Sequence, residues 1–104
     1  MYARTVFLRL RPDTGARFAQ IIEDEILPLL RTQSGFENEI TLVAPEGRDV
    51  VAISIWDQKE SADFYGRTAY SQVLQHLTNV VERTPDVRGY DVANATFQKV
   101  PAVE

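Results

Sequence analysis

The 104-residue chain has no cysteine, one histidine, one methionine and one tryptophan. The missing thiols exclude a disulfide scaffold, a thiolate zinc or iron–sulfur site and a cysteine nucleophile. The single imidazole, His76, cannot supply a site that needs two from one chain. Long apolar runs are also missing. Arginines at positions 4, 9 and 11 break up the N-terminal stretch, so no secretory apolar segment forms. The longest charge-free run, residues 68–81, carries Ser71, Gln72, Gln75, His76 and Asn79 and does not read as a membrane span. Positive charge is scarce: 11 basic residues stand against 15 acidic ones, for a net charge of −4. The basic residues are scattered, whereas a nucleic-acid binder needs a clustered cationic face to neutralise phosphates. The expectation is a cytoplasmic protein with neither a nucleic acid nor a membrane as partner.

What is present is ordinary globular composition, 44% hydrophobic and 25% charged. The length suits one domain spanning residues 1–104. Residues 2–10 alternate as a strand, with Tyr2, Val6, Leu8 and Leu10 on one face and Ala3, Thr5, Phe7 and Arg9 on the other. Pro12-Asp13-Thr14-Gly15 breaks it, and Asp13 or Thr14 suits a helix N-cap. The period then changes. Phe18, Ile21, Ile22, Ile26, Leu29 and Leu30 form the apolar stripe of an amphipathic helix. Pro28 lies inside that stripe, so a bend or a tightened ending is expected there. Gly35 closes the helix with a positive φ. The acidic run Glu23-Asp24-Glu25 diverges around the helix and reads as a solvated face, without the convergence a metal needs.

Residues 36–44 alternate, Pro45-Glu46-Gly47-Arg48-Asp49 forms a hairpin loop, and residues 50–56 make a second, nearly uncharged strand. Asp57 with Glu60 has the spacing of a capping box. One helical piece carries Ala62, Phe64 and Tyr65. After an interruption at Gly66-Arg67-Thr68, a second carries Tyr70, Val73, Leu74, Leu77, Val80 and Val81. Residues 87–100 return to strand chemistry. The order is β-α-β-β-α-β, the α+β, ferredoxin-like arrangement of a four-stranded antiparallel sheet with helices on one face. Two helical arms cover one sheet face. The other is left with Phe7 and the Val and Ile side chains of the hairpin, so a homodimer that pairs these faces is expected.

The Gln33-Ser34-Gly35-Phe36 turn resembles a Pro-Gly-Phe-type turn. The segment from Ile53-Ser54-Ile55-Trp56 through Asp57-Gln58-Lys59-Glu60-Ser61-Ala62-Asp63-Phe64-Tyr65 resembles a Trp-x-Ser-x-Glu-Ala-type segment. Together they are similar to the antibiotic-biosynthesis-monooxygenase (ABM) domain family of dimeric α+β barrels, over residues 2–97. The resemblance implies that fold and a homodimer. Characterised members include cofactor-independent oxygenases of polycyclic phenols and quinones, haem-degrading enzymes, and proteins of no known reaction.

Measured against the haem-degrading branch, the chain has Tyr65 where a second Trp is expected. His76 lies one residue from the expected iron ligand, near Gln75, and no Asn occurs in Thr5-Val6-Phe7-Leu8. One residue is roughly 100° around a helix, so haem degradation is disfavoured and no metal is assigned. Cofactor-free oxygenation asks only for a dry pocket with hydrogen-bonding groups around an electron-rich substrate. The candidate ligand-binding residues are Trp56, Tyr65, Tyr70, Asn38 and His76, with no catalytic residue singled out. The expected function is a monooxygenase without cofactor, acting on a small aromatic or quinol-like metabolite. The alternative is a non-catalytic dimer that binds a small molecule or serves as an accessory protein.

Overall fold

The computed structural model describes residues 1–100. The two central strands are the richest in β-branched and apolar residues. β1 (Tyr2–Arg9) and β3 (Asp49–Trp56) pair antiparallel from Tyr2 opposite Trp56 to Arg9 opposite Asp49. β2 (Phe36–Val43) flanks β3 and β4 (Asp86–Asp91) flanks β1, so the sheet order is β2-β3-β1-β4 with every neighbour antiparallel. The first helical arm is α1 (Gly15–Ile21), a π-helical turn (Ile22–Ile26) and α2 (Leu27–Arg31). The second is α3 (Lys59–Arg67) followed by α4 (Tyr70–Leu77). This is the β-α-β-β-α-β, ferredoxin-like fold expected from the sequence.

Strand alternation decides what each sheet face carries. The helix-covered face presents Val6, Leu8 and Leu10 from β1 and its extension, with Val50 and Trp56 from β3, all buried with Phe18, Leu30, Tyr65 and Leu77 in one core. The opposite face carries Phe7, Val51, Ile53 and Ile55, half-buried, with Ile40 and Leu42 about half exposed on β2. A bulge between Phe36 and Asn38 resets β2. Phe36 stays on the helix side, edge-on to Trp56 at 5.5 Å between ring centroids, while Asn38 pairs with Ile55 and joins the open face.

Local chemistry differs from expectation in five places. Gly66 and Arg67, expected to interrupt the second arm, lie within α3, and of that expected break only Thr68 leaves the helix. Pro28 leaves the helix running, and the strain appears one turn earlier as the π-helical turn, where the Leu27 N–H reaches back to the Ile22 carbonyl. The widened turn accommodates a ring that would clash in regular helix. Thr14 is the α1 N-cap, but its hydroxyl donates backwards to the Arg11 carbonyl at 2.7 Å and does not cap. Asp57 and Glu60 form no capping box. Gln58 is the N-cap of α3, and the Asp57 N–H is engaged with the Gly35 carbonyl at 2.9 Å. α4 ends at Leu77, before the helical spacing runs out, because Val81 bridges Leu10 and the Glu82 N–H donates to the Arg9 carbonyl.

The last strand is shorter than residues 87–100. β4 stops at Asp91, and the last backbone pairing on that edge is the Val92 N–H to the Met1 carbonyl at 3.0 Å. Strand-forming side chains continue beyond it, but a strand needs a neighbour, and β1 offers none past Met1.

Candidate functional site

Between the sheet and the two helical arms lies a small cavity of about 40 Å³ with a mostly aliphatic wall. Its polar lining comes from five residues: Arg4 on β1, Glu39 on β2, Ser54 on β3, Tyr65 on α3 and Tyr70 on α4. Each has a local reason to be there. Arg4 occupies the same alternating positions as Val6 and Leu8, so β1 points it at the core. Glu39 lies beyond the bulge, opposite Ser54, and so faces the helices. Tyr65 and Tyr70 flank the break between α3 and α4, where Thr68 leaves helical geometry and the chain turns its aromatic face inward.

Arg4 is 9% exposed and is the one charged side chain buried to this extent among the described residues. Its guanidinium carbon lies 4.0 Å from the centroid of the Tyr70 ring and 5.2 Å from that of Tyr65. The backbone of Gly66 closes one side, since a Cβ there would lie 3.5 Å from Arg4 Nη2. Among the described residues no carboxylate forms an ion pair with Arg4. A desolvated cation–π contact contributes about 2 kcal/mol, less than the cost of burying an unpaired charge.

The phenols respond to the same environment. Burial pushes Tyr65 up to about 12, with the Arg4 charge opposing, and burial likewise raises Tyr70 against the pull of the nearby guanidinium. The Tyr70 hydroxyl is buried and, among the described residues, makes no hydrogen bond of good geometry, although the adjacent Arg4 guanidinium pulls toward its ionised form. Glu39 is raised by burial, partly offset by Thr41, whose hydroxyl is 2.8 Å from each carboxylate oxygen. The site therefore offers a fixed positive charge, two phenols that keep their protons at neutral pH, and a carboxyl shifted toward its neutral form.

Of the candidates named from sequence, Tyr65 and Tyr70 line the cavity together, 6.0 Å apart between centroids. Trp56 stands behind them. It is fully buried, stacks on Tyr65 at 5.1 Å, and donates its indole N–H to Ser54 Oγ at 2.8 Å. Asn38 lies on the opposite, open face of the sheet. His76 projects outward from α4, with its side chain 41% exposed and Nε2 3.8 Å from Glu25 Oε2. Arg4 and Glu39 are not among the candidates named from sequence. The signal for Arg4 was present in its alternation with Val6, Leu8 and Leu10, which places a charge on the apolar face of β1.

Fold and cavity together define the class: a ferredoxin-like α+β domain with a pocket between sheet and helices. No family model matches the chain, and no curated protein matches it. Solved structures do match. A protein of unknown function from Nitrosomonas europaea superposes with a TM-score of 0.76 at 17% identity, over 98% of this chain and 95% of its own. The monooxygenase from the gene ActVA-Orf6 of Streptomyces coelicolor, in complex with the ligand nanaomycin D, gives 0.75 at 14% identity, over 97% and 92%. SnoaB, a cofactor-independent oxygenase from Streptomyces nogalater, gives 0.73 at 13% identity, over 93% and 98%. At these identities the shared property is the fold, which the chain has in common with solved ABM structures. No helix among the described residues is long and apolar enough to cross a membrane.

Proposed function

We propose that this chain is a small monooxygenase that takes an aromatic, quinol-like metabolite into the cavity at Arg4, Tyr65 and Tyr70 and oxygenates it without a bound cofactor. The observation that carries the reading is the polar cluster set in an apolar, buried wall, in a fold shared with oxygenases. A dry site strengthens every electrostatic contact to an oxygen that gains negative charge. Phenols that hold their protons at neutral pH are suited to donate to such an oxygen. The test is oxygen uptake by chelator-treated protein with a panel of naphthalene and anthracene hydroquinones. Uptake above the protein-free rate, reduced in Tyr70→Phe, is the expected result. Uptake no faster than autoxidation across the panel rejects catalysis.

One observation favours a second reading, a non-catalytic domain that binds a small molecule. The cavity, at about 40 Å³, is far below the roughly 300–1,000 Å³ usual for a ligand pocket. A bicyclic ligand requires the wall to open. Ligand-induced thermal stabilisation without oxygen uptake selects this reading over the first.

In both readings the working form is a homodimer that pairs the open sheet faces. The support is the apolar patch of Phe7, Val51, Ile53 and Ile55, continued by Ile40 at 53% and Leu42 at 47% exposure. Monomers rarely leave such a contiguous patch in water, and a two-fold axis covers both copies at once.

A further inference from the structure

We propose that the cavity takes its ligand as an aromatic carboxylate, with the Arg4 guanidinium as counter-ion and the Tyr70 hydroxyl as a second donor. This rests on reading the cavity as the ligand site. Two independent observations point the same way. Among the described residues Arg4 is the buried charge without a carboxylate partner, and the Tyr70 hydroxyl lining the same cavity is a buried polar atom that makes no hydrogen bond of good geometry.

A guanidinium keeps its charge, and its planar fork of N–H donors matches the two oxygens of a carboxylate. Tyr65 and Tyr70 meet Arg4 with their rings, which attract the charge but accept no directed hydrogen bond. Apart from Ser54 and Glu39, the rest of the wall is aliphatic and aromatic, from residues such as Val6, Phe18, Ile26 and Val73. A ligand that completes the site therefore brings an oxyanion to Arg4 and an apolar ring to the wall. Among the described residues the carboxylate that lines the cavity is Glu39, and burial weakens its charge by raising its pKa. A buried cation without a counter-ion lowers the stability of the ligand-free protein, as expected of a group kept for binding.

Benzoate and benzamide share ring and shape and differ in charge, so titration calorimetry of the whole chain with each at neutral pH isolates the contribution of charge. Benzoate is expected to bind about tenfold tighter or more, the value of a charge-assisted hydrogen bond. Arg4→Met removes the charge and keeps the apolar stem. It is expected to abolish the preference for benzoate over benzamide, and to leave the thermal midpoint of the ligand-free protein equal or higher. Equal affinity of the wild-type protein for the two probes overturns the carboxylate and leaves the cavity as an aromatic site. A benzoate preference that survives in Arg4→Met overturns the carboxylate site at Arg4 as well. Binding of neither probe overturns the cavity as a ligand site altogether. The wild-type comparison is decisive whether or not the Met variant folds.

Discussion

The indole N–H of Trp56 donates to Ser54 Oγ at 2.8 Å, two residues back on the same face of β3, and the Ser54 hydroxyl in turn donates to the Arg4 carbonyl at 3.3 Å. This relay lets a fully buried tryptophan sit at the strand end without an orphaned donor. It also ties β3 to β1 at the residue whose side chain reaches the cavity. Ser54→Ala removes the acceptor and leaves the indole N–H unpaired in the core, which costs about 1–3 kcal/mol. Urea unfolding measures it, and a midpoint equal to that of the unaltered protein contradicts the relay.

Gly35 and Gly47 both have positive φ, 83° and 88°, but their surroundings differ. A Cβ on Gly35 runs into Asp57 and Ser61, whereas one on Gly47 meets open space. Gly47→Ala is therefore expected to cost only the backbone strain, about 1 kcal/mol. Gly35→Ala adds overpacking of about 1–3 kcal/mol. Thermal melts of the two variants compare them directly. Equal losses would mean that the α2–β2 turn does not press on the start of α3.

Tyr65 ionises near pH 10 in an unfolded chain and at about 12 here, because burial penalises the phenolate. Between those values the folded protein holds a proton that the unfolded one has released. Stability is therefore fully present below pH 10 and falls as pH rises through 12, by roughly 2–3 kcal/mol in all. Tyr70 adds to the same trend, since burial raises it as well. Denaturant midpoints measured from neutral to alkaline pH check this, and Tyr65→Phe is expected to flatten the slope.

Ile53 stands at the centre of the open face, between Thr5 on β1 and Ile40 on β2. Ile53→Lys places a charge in the middle of the proposed dimer contact and is expected to give a folded monomer by light scattering. A wild-type protein that is itself monomeric at micromolar concentration rejects the pairing of sheet faces.

His76 lies outside the cavity and faces Glu25 across 3.8 Å. His76→Ala is expected to leave benzoate affinity within a factor of about two, because exposed ion pairs contribute little. A tenfold loss would place the ligand on the outer side of α4.

Much of this architecture was legible in the chain. The 3.6 period of Phe18, Ile22, Ile26 and Leu30, the alternation along β1 and β3, and the breaks at Pro12 and Gly35 each reflect local stereochemistry, which a few neighbouring residues determine. Their order already implied the ferredoxin-like sheet and an apolar face left uncovered. Tertiary structure decided what depends on partners distant in sequence. A bulge against Trp56 sent Asn38 to one face and Glu39 to the other. The reach of β1 set the length of β4. Packing of the α3–α4 elbow over β1 enclosed Arg4 between two tyrosines. Periodicity reports the direction in which a side chain leaves its own backbone. What that side chain meets is set by strand register and helix placement, so alternation placed Arg4 on the apolar face of β1 but only the closed chain set it against Tyr65 and Tyr70.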